Sequence, residues 1–190
     1  TSMKGRAENN PRKKAERRGD MDGNLRLAAR GFTFARLALR RSVTGMQSER
    51  RMRIYGLILA GGEGRRMGGV DKAFLPLAGR PLIAHAIDRL GPQVEELAIS
   101  ANGDPARFAG FGLPVLADQA RQGPLSGVLA GLRWARAAGA DAVVSVPVDT
   151  PFLPGDLVPR LWLAGDGGAA VAEAGGRTHP ACGLWPVALA

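Results

Sequence analysis

The sequence predicts an α/β fold, a three-layer sandwich around a mostly parallel, Rossmann-like sheet. Three observations carry that prediction. Short continuous apolar runs, as in strands buried on both faces, recur from residue 54 onward. Between them lie segments whose apolar residues repeat at helical spacing. The first run ends in glycines, as strands do where the backbone turns closely past a ligand.

Taken in order, Ile54-Tyr55-Gly56-Leu57-Ile58-Leu59-Ala60 predicts a fully buried parallel strand. Gly79-Arg80-Pro81 opens a helix, with Pro81 in the first turn, where its missing N–H costs nothing. Leu82, Ile83, Ala86, Ile87 and Leu90 supply its apolar stripe, and Gly91-Pro92 stops it. Leu97 to Ser100 is a second strand and Pro114 to Ala117 a third. Leu125 to Ala138 reads as a helix, followed by a fourth buried strand at Ala142 to Val146. Pro154 to Leu163 reads as a helix, and Ala169 to Ala172 and Cys182 to Trp185 as later strands. No internal repeat is visible. In such sheets ligands bind beyond the carboxyl ends of the strands, so Gly61, Ser100 to Asn102, Asp118 and Asp149 are expected to converge on one crevice.

A chain of 190 residues holds one domain with a developed core and is too short for two. Its 45% hydrophobic and 23% charged residues fit a globular protein, with few aromatics to fill the interior. No apolar run reaches the roughly 18–20 residues of a membrane span. The single cysteine, Cys182, excludes an internal disulfide and suits a reducing compartment, so a cytoplasmic location is expected. His85 and His179 lie too far apart in sequence to make a zinc-type cluster.

The net charge of +9 has a location. Residues 1–53 carry 15 Lys/Arg against 5 Asp/Glu, whereas residues 54–190 carry 11 against 12. The basic character therefore belongs to the leader, and a nucleic-acid or anionic-membrane role would rest on the leader alone. Its first 24 residues are polar and charged and read as disordered. Leu25 to Arg41 reads as a basic helix, with Arg26, Arg30, Arg36, Arg40 and Arg41 clustered on one side although Thr33 and Leu37 interrupt them. One reading is a helix for a membrane surface or an acidic partner. The favoured ones are a solvated extension, or a stretch upstream of a natural start at Met46 or Met52, because arginine bias on a helix is common. The leader lacks the apolar core and cleavage site of a secretory signal. Residues 1–53 are thus expected to be an extension and 54–190 the functional domain.

The run from Gly61 to Lys72 packs five glycines, two arginines and a lysine into twelve residues, a composition that favours anion binding over a simple tight turn. It is not a P-loop, because Lys72 follows Asp71 and precedes Ala73 instead of closing a Gly-Lys-Ser/Thr. Nor is it a dinucleotide fingerprint, because Met67 stands where the third glycine would fall. Leu59-Ala60-Gly61-Gly62, then Arg66-Met67-Gly68, then Asp71-Lys72 fits a nucleotidyltransferase signature. Asp71-Lys72-Ala73 leads to Leu77-Ala78-Gly79-Arg80-Pro81-Leu82. Further on stand Gly123-Pro124-Leu125-Ser126-Gly127, Pro147-Val148-Asp149-Thr150-Pro151-Phe152 and Arg177-Thr178-His179-Pro180. With these segments in this order, the chain from Ile54 to its last residue resembles the molybdenum cofactor guanylyltransferase family, within the wider group of nucleotide-diphospho-sugar transferase-like folds.

The resemblance implies transfer of GMP from Mg-GTP to molybdenum-molybdopterin, giving the guanine dinucleotide cofactor and pyrophosphate in molybdenum cofactor biosynthesis. In that reaction a phosphate oxygen attacks the α-phosphorus, and the anionic transition state calls for positioning and positive charge. Lys72 and Arg66 are expected to meet the triphosphate, Arg66 with forked hydrogen bonds and Lys72 as a compact charge. Arg65 is as readily a solvated residue. Asp149, at the end of the fourth strand, is by resemblance the Mg2+ aspartate, and its alternative is a cap of the following helix. Leu59, Ala60, Gly61 and Gly62 are expected to offer backbone groups to base and ribose, Asp118 to contact the nucleotide, and Gly123 and Pro124 to shape a loop beside the base. Ser100 stands where some relatives have Asn, which moves the expected contact to Asn102. His179 is either a surface residue or a pterin-side group, while His85 and Cys182 read as packing residues.

Alternatives remain at this point. Cytidylyl transfer to the same acceptor, or nucleotidyl transfer to another small molecule, uses the same loop. The resemblance also implies further C-terminal helices and an Asn-rich segment after Ala190, so the chain is expected to lack its C-terminal part, and a fragment that binds GTP without completing the reaction is a second possibility. GTP, molybdenum-molybdopterin and the proteins that deliver the pterin or receive the product are the implied partners. Neither nucleic acid nor membrane is expected. Oligomeric state has no signal in the sequence, and a monomer is the default.

Overall fold

The computed structural model describes residues 32–36, 51–61, 71–117 and 124–190. The chain forms β1 (Phe32–Arg36), β2 (Ile54–Leu59), β3 (Pro76–Leu77), β4 (Arg80–Pro81), α1 (Leu82–Leu90), β5 (Leu97–Ser100), β6 (Val115–Leu116), α2 (Pro124–Ala137), β7 (Ala142–Pro147), α3 (Leu157–Gly165), β8 (Ala170–Ala174) and β9 (Arg177–Pro186). Seven strands make one sheet in the order β1-β8-β9-β7-β2-β5-β6. β7, β2, β5 and β6 are parallel neighbours. β9 runs against both β7 and β8, so β8 shares the direction of the parallel group. The expected α/β sandwich with a mostly parallel sheet is the observed fold.

Alternation along β2 builds the three layers. Ile58 and Ala60 face a core that holds Ile83, Ala86 and Leu90 of α1 with Leu157, Val158 and Leu161 of α3. Tyr55, Leu57 and Leu59 face the opposite core, with Val128, Leu132 and Ala135 of α2. Each face of the strand is thus covered, which is why its sequence is a continuous apolar run and not an alternating one. α2 lies unusually close to the sheet. A Cβ at Gly131 would stand 2.5 Å from Leu57 Cδ2, and one at Gly127 would stand 2.7 Å from Ser100 Oγ.

The connections after β2 and β7 lead toward opposite edges of the sheet, with both helices on one face: β2 leads through α1 to β5, and β7 leads through α3 to β8. Between their carboxyl ends the strand order reverses, which is where open α/β sheets form a ligand crevice.

Several elements differ from their sequence expectation. Phe32–Arg36 pairs antiparallel with β8, from Phe32 against Ala174 to Arg36 against Ala170, where the arginine spacing predicts part of a basic helix or a disordered extension. The aromatic and β-branched content of Phe32-Thr33-Phe34 favours a strand, and the edge of β8 presents backbone groups for it to pair with. The rest of the expected helix lies outside the described residues. Residues 76–81 form a small hairpin before α1, with Ala78 (φ 49°) and Gly79 (φ 77°) both left-handed in its two-residue turn. α1 then starts at Leu82, with Pro81 as its cap position. α3 starts at Leu157, later than Pro154, because Pro154 to Asp156 form the turn that leads into it. A 3-10 helix at Pro105–Phe111, capped by Asp104, fills a stretch with no expected element.

Candidate active site

The crevice is assembled from the first residues past three adjacent strands. Ala60 N donates to Ser100 O at 2.8 Å, and Val148 N donates to Leu59 O at 3.1 Å. These bonds hold the exits of β2, β5 and β7 side by side. Leu59 and Ala60 are buried at this exit. Gly61 leaves the strand beside the β5 exit. A Cβ on it would lie 3.8 Å from Ser100 O and 4.0 Å from Asn102 Nδ2. Gly61, Asn102 and the segment after β7 therefore do converge, as the strand-end rule predicts. Ser100 is buried and its hydroxyl is turned into the α2 packing against Gly127. Of the two residues, Asn102 is the one on the Gly61 side.

Asp149 is exposed at the mouth of the crevice. Pro147 O accepts from both Thr150 N (3.2 Å) and Thr150 Oγ1 (2.7 Å), which closes a tight turn around Asp149. The next helix is α3, whose cap position is Asp156, so Asp149 is not a helix cap. Its carboxylate instead accepts from Lys72, with Nζ to Oδ2 at 3.1 Å.

Lys72 opens a 3-10 turn, Lys72–Phe74. Two contacts fix that turn. Asp71 Oδ1 accepts from Ala73 N at 3.0 Å, and Ala73 is fully buried in the core shared with α1 and α3. Behind the turn, Arg107 places Nε 3.3 Å from Asp71 Oδ2 and donates from Nη2 to Asn102 O at 2.7 Å. The sequence motifs assign a role to neither Asp71 nor Arg107. Asp71 had a signal, being the residue before the lysine, whereas Arg107 sits in a stretch with no motif.

Gly62, Arg66, Asp118 and Gly123, together with Arg65, lie outside the described residues. Pro124 is the first residue of α2. His179 is exposed on β9, opposite Ala172 of β8. His85, on α1, has Nε2 2.9 Å from Leu77 O, and so anchors the helix to the hairpin before it. Cys182 is buried, and burial pushes its thiol up to about 12. Among the described residues no three Asp, Glu, His or Cys gather into a metal-holding group. No described helix is long and apolar enough to cross a membrane.

Comparison with known proteins gives this arrangement a family. Residues 56–190 match the MobA-like NTP transferase domain. The chain is 80% identical over 139 residues to a molybdenum cofactor guanylyltransferase of Cereibacter sphaeroides, covering 73% of this chain and 72% of that one. It is 57% identical over 139 residues to the protein of that name from Acidiphilium cryptum (strain JF-5), covering 72% of this chain and 69% of the other. Among solved structures, molybdopterin-guanine dinucleotide biosynthesis protein A from Archaeoglobus fulgidus matches with a TM-score of 0.56 over 70% of this chain and 68% of that one. At 20% identity that likeness speaks for the fold alone. With this family match and these relatives, the chain belongs to the MobA-like NTP transferase family, as a nucleotidyltransferase of the molybdenum cofactor guanylyltransferase type.

Proposed function

We propose that the chain transfers GMP from Mg-GTP to molybdenum-molybdopterin, releasing pyrophosphate. One observation carries the residue assignment: Lys72 and Asp149 meet at 3.1 Å over the carboxyl ends of β2 and β7. A cation and a carboxylate at that crevice are what a triphosphate and its counter-ion require.

In this reading the acceptor's phosphate oxygen attacks the α-phosphorus of GTP, a P–O bond forms, and the bond to the β-phosphate oxygen breaks to release pyrophosphate. Lys72 neutralises charge that builds on the phosphates, acting from a turn pinned by Asp71 and Ala73, so little reorganisation is needed. Arg66 adds a forked contact to the same phosphates. Asp149 fits Mg2+, because a half-exposed hard-oxygen donor is enough for an ion that keeps waters and takes substrate phosphates as ligands. When bound there, Mg2+ supplies further neutralisation of the phosphate charge.

Leu59 O and Ala60 N already serve the sheet. Backbone contact to base and ribose therefore falls mainly on the Ala60 carbonyl and on Gly61 and Gly62, with Asn102 alongside. Asp118, Gly123 and Pro124 are assigned to the nucleotide on the family resemblance. The chain is further inferred to act in the cytoplasm as a monomer, exchanging pterin and product with partner proteins.

The test is pyrophosphate release measured with GTP and with CTP in parallel, using molybdenum-molybdopterin as acceptor. Turnover with GTP supports the reading. A strong preference for CTP replaces it with cytidylyl transfer, and GTP binding without turnover leaves a donor-binding module.

A further inference from the structure

We propose that Arg107 is a positioning residue for nucleotidyl transfer: it ties the Lys72 turn to the Asn102 loop, and so sets the phosphate side of the donor site against the base side. This rests on the reading of Lys72 and Asn102 as donor-site residues.

The geometry is that of a clamp with two ends. At one end Arg107 Nε lies 3.3 Å from Asp71 Oδ2, while the other oxygen of the same carboxylate accepts from Ala73 N. At the other end Arg107 Nη2 donates to the backbone carbonyl of Asn102 at 2.7 Å. A single planar guanidinium thus spans both halves of the site, which a lysine cannot do from one nitrogen with the same directionality.

The clamp is supported from beneath. The Arg107 guanidinium stacks over the Phe108 ring, with Cζ 4.7 Å from its centroid. Phe108 is fully buried and stacks in turn on Phe74, the last residue of the Lys72 turn, at 5.3 Å between centroids. Gly103 (φ +83°) completes the fit, since a Cβ there would come within 3.2 Å of Arg107 Nη1. Two routes, one polar and one aromatic, therefore join the 3-10 helix at Pro105–Phe111 to the turn that carries Lys72.

Partly exposed ion pairs add little to stability, whereas a small displacement of a group that meets the phosphates costs rate steeply. The clamp should accordingly matter more for catalysis than for folding. Arg107→Ala is expected to lower kcat/KM for GTP roughly tenfold or more, with KM for GTP raised and KM for the pterin acceptor unchanged. Arg107→Lys, which keeps the charge and the stem over Phe108, should fall between Arg107→Ala and the unsubstituted chain. Because Arg107 acts through Asp71, the double variant with Asp71→Asn should be no worse than the more damaged single.

Steady-state kinetics on these variants, with thermal unfolding alongside and Lys72→Ala as control, decides the matter. Unchanged kinetics in Arg107→Ala beside an inactive Lys72→Ala would overturn the clamp and leave the Lys72 assignment standing. A loss in kcat with both KM values unchanged that disappears when rates are normalised to the concentration of GTP-binding sites would mark a lower active fraction and also overturn it. Full turnover in Lys72→Ala would remove the Lys72 assignment, and the clamp with it. Should Arg107→Ala fail to fold, Arg107→Lys and Asp71→Asn carry the same comparison.

Discussion

Lys72 and Asp149, 77 residues apart in sequence, form an ion pair of 3.1 Å across the ligand crevice, with both side chains 47% exposed. At that exposure such a pair contributes about 0–1 kcal/mol to stability. Its placement is therefore better explained by the charge it presents to a ligand than by folding. Lys72→Ala and Asp149→Ala are each expected to abolish pyrophosphate release while leaving the thermal midpoint almost where it was. Wild-type turnover in either variant would remove that residue from the mechanism.

The packing of α2 makes an opposite prediction, in which a substitution that ordinarily helps a helix harms this one. Replacing a mid-helix glycine by alanine is usually worth about 1 kcal/mol in the helix's favour. At Gly131 the new methyl would meet Leu57 Cδ2 at 2.5 Å, and Leu57 is fully buried, so the Leu57 side chain, the helix or the strand must shift within a packed core. Overpacking of this kind costs about 1–3 kcal/mol. Gly131→Ala should therefore lower the midpoint of urea unfolding. Gly127→Ala meets Ser100 Oγ at 2.7 Å and Leu59 Cδ2 at 3.1 Å, at the exits of β2 and β5, and should reduce turnover as well. A stabilised Gly131→Ala would show that α2 sits farther from the sheet.

What the sequence makes legible follows from this packing. β2, β5 and β7 are buried on both faces, and their predominantly apolar runs announce it. Lys72 and Asp149, which the fold brings to 3.1 Å of each other, each belong to a compact local motif. The hairpin at residues 76–81 was not legible, because its turn needs a left-handed Ala78, and only Gly79 signals such a conformation. β9 extends well before the apolar stretch Cys182 to Trp185 that the sequence marks as a strand, and it includes Pro180. In the structure a register shift at Val171/Ala172 carries the stretch after His179 past β8 without a ladder partner, so the missing N–H of Pro180 costs no bond there. Arg107 left no trace at all. Its partners Asp71 and Asn102 come from separate loops, and only the folded chain brings them together.

That same irregularity in β9 is stitched by one buried hydroxyl. Ser145, fully buried in β7, donates from Oγ to Ala181 O at 2.9 Å and accepts from Trp185 Nε1 at 2.9 Å. Ser145→Ala removes both bonds and leaves the half-buried Ala181 carbonyl and Trp185 indole N–H to find other partners. The cost of such orphaned groups is about 1–3 kcal/mol each. A matching drop in urea-unfolding stability is expected, together with a change in the tryptophan fluorescence of the folded state. Unchanged stability would mean that solvent reaches this part of the sheet.

Cys182 lies just past that stitch, and its chemistry gives a pH-dependent test. Desolvation by burial raises the thiol to about 12 in the folded chain, whereas an unfolded cysteine titrates near about 8.5. The folded state thus holds the proton where the unfolded state has released it. The stability linked to this difference is fully present below the unfolded value and is lost progressively as pH rises from there toward about 12. Below the unfolded value the buried thiol stays protonated and shielded, and a protonated thiol is a poor nucleophile. Labelling by a thiol reagent at pH 8 should therefore be slow in the native protein and become fast on adding denaturant, with a midpoint that tracks global unfolding. Rapid labelling under native conditions would place Cys182 in a segment that opens locally, on the strand that carries His179.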